Sequence, residues 1–494
     1  MRRSRLHADV RTAFWKLEDM AKDTQAITKS RLQKSHRHMS LAFLVVWLVL
    51  VSFGLLMMFS ASYGISYIQS TAKIRTELIK SGVAIDSAPV RAIVEADASA
   101  MARKQARITL VGTIGAVALG ALVHFRRLTR PVYRAFLYLV ITASLLYCQF
   151  GGVVVNGARR WIYIGTVGFQ PSELAKVGAV FFLAGYLASR RRKRVAIEAR
   201  GQKNAPSASK QAFLDVTWPV ILMGLWVILT LIQPHLSGAL IIFLISVIVF
   251  VMADIPMKSR FLGTTQLVVV FLVVAIIFGA GYQLIAKKSP TEFVANRFAH
   301  VFKRVDTFQD RDAANEDDRM QIEQAELALG SGGLTGRGIG RSVQKLNWLS
   351  EAHNDFILPI IGEELGFVGV SAVVLLFLAF LATGIMVARQ AATHMGMLVA
   401  AGNTILIALQ AFLNMAVTTS LIPTTGISLP FFSYGGTANL FFAVSAGLVL
   451  CVSKSCCRVE PDIARVIMKQ DARSRGGKKP RQTVEEDDEM GYAV

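Results

Sequence analysis

Ten long apolar runs constrain this chain more than any other feature. They lie at about 40–62, 108–125, 133–150, 172–188, 216–233, 238–254, 261–283, 356–388, 397–420 and 437–453. A helix needs about 20 mostly apolar residues to cross a bilayer. The pattern therefore predicts an all-α polytopic membrane protein with about ten transmembrane helices. The run at 356–388 is long, and predicts an extension or half-helix at the membrane surface. Between spans 7 and 8 lies a large polar loop, 284–355, which predicts a functional segment. Within it, Asp318 followed by Gln321 resembles a capping box ahead of a helix over Met320–Leu329, with Gly330 as its stop.

Composition agrees. The 494 residues are 53% hydrophobic and 18% charged, against roughly 45–50% and about 25% in soluble domains. This excludes a soluble two-domain enzyme and a disordered protein. Four cysteines (Cys148, Cys451, Cys456, Cys457) are too few for a disulfide scaffold. Cys456 and Cys457 sit where palmitoylated cysteines can, but ordinary thiols are the simpler reading. Net charge is 54 − 33 = +21. In a membrane protein such charge collects in cytoplasmic loops. No nucleic-acid motif accompanies it, and no nucleic-acid partner is expected. The first run follows too long a basic stretch, and is itself too long, for a cleaved signal peptide.

The short loops give an orientation. Residues 189–215 hold Arg190, Arg191, Arg192, Lys193, Arg194, Arg200, Lys203 and Lys210, and 126–134 hold four arginines. The short loops 234–237 and 421–436 hold no Lys or Arg. Both termini are thus expected in the cytoplasm, with 63–107, 151–171 and 284–355 outside. Three parts follow: a basic cytoplasmic segment 1–38, a ten-helix membrane domain 39–453, and a cytoplasmic tail 454–494 of disordered composition.

Three constellations carry possible chemistry. The first is Asn156–Ile162, with Arg159 and Arg160, followed by Gln170–Lys176. Two outward arginines can bind phosphate, and Glu173 and Lys176 share a helix face. A capped helix with a structural ion pair is the plain alternative. The second is Ser350–Phe356, with His353 and Asp355, then Glu363 and Glu364. Acid–base chemistry, metal binding, substrate hydrogen bonding, helix capping and buried polar packing all remain open there. No zinc-site spacing occurs. The third is Pro423–Gly436, including Ser433, whose backbone must be buried or line a cavity. Ahead of it Asn403, Gln410 and Asn414 share one helix face, either as ligand contacts or as polar glue between helices. His235, in a tight turn, reads as structural.

These constellations, with Phe59-Ser60-Ala61-Ser62 and Ser342–Gly366, resemble the SEDS family (shape, elongation, division and sporulation proteins) over roughly 40–453. Gln344-Lys345 ahead of the Glu-Ala-His-Asn-Asp-Phe run resembles the division branch more than the elongation branch. The sporulation branch is close to the division branch. The resemblance implies an inner-membrane peptidoglycan glycosyltransferase at the division septum. Its substrate would be lipid II, a disaccharide-pentapeptide on undecaprenyl pyrophosphate. Its partners would be a class B penicillin-binding transpeptidase and other division proteins.

The residues implied to bind substrate are Arg159, Arg160, Glu173, Lys176, Lys345, His353, Asp355 and Ser433. Positive charge at the pyrophosphate would come from the arginines and lysine, or from a divalent cation, Mg2+ or Mn2+. The family's essential Asp precedes the Gln that matches Gln321. A gap-free alignment on Phe308 and Gln321 puts Ala314 there. Asp312 is then the preferred base, with Asp310 and Asp317 as alternatives. Other departures are His235 and Ser237, where the family often has Asp and Thr, and a long first outer loop. The rival readings are a lipid II flippase and a non-catalytic division scaffold.

Overall fold

All ten apolar runs are helical in the computed structural model, which describes residues 39–80, 97–155, 158–165, 167–199, 206–286, 316–346 and 348–454. The segments 1–38 and 455–494 lie outside the described residues. The long helices are α1 (Leu41–Lys80), α2 (Ala100–Leu122), α3 (Pro131–Gly151), α4 (Pro171–Ala199), α5 (Ala208–Ile232), α6 (Leu236–Met252) and α7 (Met257–Ala286). After the loop helix α8 (Glu316–Ser331) come α9 (Ile357–Arg389), α10 (His394–Thr418) and α11 (Gly436–Lys454). Among the described residues, eight helices are long and apolar enough to cross a membrane. Of the ten runs, those at α4 and α6 fall outside that eight. The α4 helix carries charge at both ends, and α6 has 17 residues. A count of ten spans requires both to cross as well.

Helix α4 sits at the centre, packed against α3, α6, α10 and α11. Its Ala175, Val180, Leu183 and Ala184 are fully buried. Small residues let α2 and α11 approach closely. A Cβ on Gly112 or Gly120 would press on Leu440 and Ala443 or on Leu450, and one on Gly447 would meet the Ala116 backbone. Such seams substitute for the hydrophobic effect between helices in lipid. Helix α7 is different. It packs mainly on residues 208–217, and its apolar stretch is only 6% buried.

Three features depart from expectation. The loop at 151–171 forms a small antiparallel sheet, β1 (Val153–Val155), β2 (Ala158–Ile164) and β3 (Val167–Phe169), on an otherwise helical protein. Its strands are too short to show a period against the apolar runs on either side. Helix α8 begins at Glu316, so Asp318 lies inside its first turn and is not the N-cap. Acidic residues in a first turn suit the helix dipole. Gln321 instead donates to the Ser350 carbonyl at 3.2 Å. The helix also runs past Gly330 to Ser331. The long run at 356–388 does divide, because Gly366 breaks α9 with φ 66° and ψ −161°.

Candidate active site

The three constellations meet at one end of the bundle, opposite the basic 189–215 loop. The first is anchored by the start of α4. Pro171 opens that helix, and Ser172 Oγ lies 2.9 Å from His235 Nδ1, tying α4 to the turn before α6. Glu173 lies in the first turn, where the dipole favours a carboxylate. Lys176, three residues on, pairs with it at 2.7 Å, and both side chains are buried. The Lys176 ammonium also donates to Gln410 Oε1 at 2.7 Å and lies 5.9 Å from the centre of the Phe442 ring.

Arg159 and Arg160 are neighbours on β2 and so point to opposite faces. Arg159 is exposed, and its Nη1 donates to the Phe150 carbonyl at 3.3 Å. Arg160 turns inward, with Nη2 donating to the Pro234 carbonyl. The strand thus separates two side chains that the sequence places side by side.

A second buried charge centre joins α1, α9 and the glycine-rich segment 332–346. Glu364 accepts from Lys345 Nζ at 2.6 Å and from Ser60 Oγ at 2.7 Å. Lys345 Nζ also donates to Ser60 Oγ at 2.9 Å. Glu363 accepts from Arg337 at 3.1 Å, Ser342 Oγ at 2.5 Å, Val343 N at 3.0 Å and Gln344 N at 3.2 Å. Both carboxylates are buried, and each is answered by a cation and by further donors, as a buried charge requires. Lys345 is therefore committed to this centre. Sequence reasoning missed Ser60, Arg337 and Ser342 as partners. Ser60 was visible only as part of the Phe59–Ser62 match.

The third constellation is the loop after α10. Asn414 Nδ2 donates to the Asp355 and Ile427 carbonyls at 2.7 and 2.6 Å. Gln410 Nε2 reaches Ser428 O and Oγ at 3.3 Å. Asn403 instead bonds back to Val399 on its own helix. Phe431 holds a left-handed backbone, φ 70°, fixed by its N–H to Asn439 Oδ1 at 3.1 Å and by packing on Trp47, Phe380 and Phe442. Such strain persists only where the surroundings over-determine it. Ser433 Oγ accepts from Leu429 N at 2.7 Å and helps shape the turn.

His353 joins the second and third constellations. Its carbonyl accepts from Tyr434 N at 2.8 Å, and its ring lies 5.8 Å from the Tyr434 ring. The ring is buried, and Nδ1 has no hydrogen-bond partner among the described residues. Burial pulls the imidazole below its usual pKa, and the Glu351 charge opposes that only in part. The Asp355 carboxylate faces Gly426, with Oδ2 3.4 Å from where a Cβ would sit. Asp310 and Asp312 lie outside the described residues, as does the side chain of Asp317 in the first turn of α8.

The sequence model of the FtsW/RodA/SpoVE family, described as cell cycle proteins, matches residues 78–457. The chain belongs to this family. A relative from Geobacter sp. (strain M18), named probable peptidoglycan glycosyltransferase FtsW, is 32% identical over 70% of this chain and 86% of its own. One from Trichlorobacter lovleyi, of the same name, is 32% identical over 72% and 84%. Among solved structures, the rod shape determining protein RodA of Thermus thermophilus matches with a TM-score of 0.52 at 23% identity. That match covers 85% of this chain and 98% of the other. A second neighbour matches at 0.50 and 24% identity, over 79% and 98%. It comes from work titled "Structural coordination of polymerization and crosslinking by a peptidoglycan synthase complex". These neighbours share the polytopic helical fold.

Proposed function

We propose that this protein is a peptidoglycan glycosyltransferase that polymerises lipid II during cell division. The observation that carries the reading is the buried Glu173–Lys176 pair at the end of the central helix, tied through Gln410 to the 423–436 loop. Charges at membrane depth are costly and mark function by default. The FtsW names of the relatives supply the chemistry.

In the reaction, a base takes the proton from a sugar 4-hydroxyl as that oxygen attacks the donor's anomeric carbon. The bond to the pyrophosphate breaks, and undecaprenyl pyrophosphate leaves with the electron pair. Lys176 and Arg159 are the cations for the charge that develops. Among the described residues no three His, Cys, Asp or Glu side chains converge on a metal site. A Mg2+ or Mn2+ ion held by one or two carboxylates and the substrate's own phosphates is the alternative source of positive charge. Asp312 is the preferred base, ahead of Asp310 and Asp317. Asp312→Asn is expected to cost about 10²–10⁴ in polymerisation rate with normal expression. A parent rate in all three Asn variants would remove this segment as the source of the base.

The site faces outward in this reading, and both termini are cytoplasmic. A class B penicillin-binding transpeptidase at the septum is the expected partner, with other division proteins. Purified protein should polymerise labelled lipid II, alone or with that transpeptidase. Transbilayer movement of lipid II without polymer in either case would favour a flippase instead.

A further inference from the structure

We propose that Gln410 is a positioning residue for this transfer, aiming the Lys176 ammonium at the substrate's pyrophosphate while locking the loop beside it. The inference rests on the reading of Lys176 above.

An ammonium has three N–H donors. At Lys176 one goes to Gln410 Oε1 at 2.7 Å, while the ammonium as a charge pairs with the Glu173 carboxylate at 2.7 Å. Gln410 is itself buried. Its amide has only one orientation that satisfies both ends. The oxygen must face the ammonium, and the NH2 must face the Ser428 carbonyl and hydroxyl. One planar group therefore fixes both the ammonium and the main chain of the 423–436 loop. Asn414, one turn further along α10, independently holds the next carbonyl, that of Ile427. The loop thus has a second anchor beside Gln410, and the contribution that Gln410 alone makes is to Lys176.

Charge explains why an amide suits the position. Glu173 and Lys176 are formally neutral together, and Gln410 adds an acceptor without adding charge. A carboxylate at 410 would still accept from Lys176 but would make the group net negative. An incoming pyrophosphate would then meet repulsion in a buried site, where screening is weak.

The test uses full-length protein in nanodiscs, with lipid II binding, KM and kcat, and thermal unfolding read in parallel. Gln410→Glu should raise KM for lipid II about tenfold or more, the scale of a charge-assisted contact, beside some loss of thermal stability because a carboxylate then faces the Ser428 carbonyl. Gln410→Met should lower kcat/KM. Added to Lys176→Gln, it should cost nothing further, because it acts through that lysine. Parent-like kinetics in both 410 variants, beside a weakened Lys176→Gln, would overturn the inference alone. So would loss of thermal stability with KM unchanged, or full additivity with Lys176→Gln. If Lys176→Gln itself binds lipid II like the parent, the pyrophosphate reading fails first.

Discussion

Arg159 and Arg160 show how much a single strand decides. In sequence they form one basic pair, and either could meet a phosphate. On β2 they part, Arg159 to the exposed face and Arg160 to the Pro234 carbonyl. Arg159→Ala should therefore weaken lipid II binding about 10- to 150-fold with unchanged thermal stability. Arg160→Ala should act mainly on stability, by roughly 1–3 kcal/mol, because the Pro234 carbonyl loses its donor. Equal effects of the two on binding would contradict the separation. His353 gives a pH signature. Its folded pKa lies below the 6.5 of a free imidazole, so the charged form is disfavoured in the native state. Well above pH 6.5 the ring is neutral folded and unfolded, and no penalty arises. As pH falls below 6.5 the unfolded chain takes up a proton that the native ring resists, and stability drops. His353→Gln should flatten the decline in melting temperature between about pH 7.5 and about pH 5.5. The motif residues were legible because buried polar groups stand out in apolar sequence. Their partners were not, since Ser60 and Glu364 are 304 residues apart.

At the scale of elements, the apolar runs located every long helix, because length and hydropathy are properties of one segment alone. The ends were less legible. Helix α1 continues to Lys80, well past its apolar run, where Ser66 and Ser70 bond the Asp97 backbone. The break in α9 was foreshadowed by the length of the run, but its cause lies elsewhere in the chain. A Cβ on Gly366 would strike Gly336 N and the Leu334 carbonyl, and the φ of 66° favours glycine in any case. Across this break Phe367 N and Val368 N donate to the Gly333 and Leu334 carbonyls at 2.9 and 3.1 Å. The break thus seats the 332–346 segment that Glu363 and Glu364 pin down. Gly366→Ala should cost about 1–3 kcal/mol from backbone strain alone, and more from the clash. It should also loosen the Lys345 centre. Thermal unfolding in detergent measures the first effect, and protease sensitivity near residue 340 the second. A parent-like result in both would mean that the break is not needed.

For the molecule as a whole, the chain is a multi-pass membrane protein whose central helix carries opposite specialisations at its two ends. At one end α4 holds the Glu173–Lys176 pair. At the other, Arg190 and Arg194 pair with the fully buried Asp215 at 2.7 and 2.9 Å, and Arg191 pairs with Asp254 at 2.8 Å. A straight helix from Lys176 to Arg194, 18 residue steps, spans roughly 27 Å, about the thickness of a hydrocarbon core. Helix α7 leaves most of its apolar surface uncovered by the rest of the described residues. Sequence could order the spans but not say which of them touch, because periodicity marks a face and not its neighbour. Sidedness can be tested directly. Ser331 ends α8 beside the site, and Ser207 precedes α5 on the basic side; both are exposed. Cys148, Cys451, Cys456 and Cys457 would first be replaced, and single cysteines placed at 331 or 207. An impermeant maleimide applied outside should label residue 331 in intact spheroplasts and residue 207 only after permeabilisation. The positive-inside bias of the short loops requires this order, since Lys and Arg near span ends resist translocation. Labelling of 207 and not 331 would put the Lys176 end in the cytoplasm. Outward polymerisation of lipid II by this site would then be impossible.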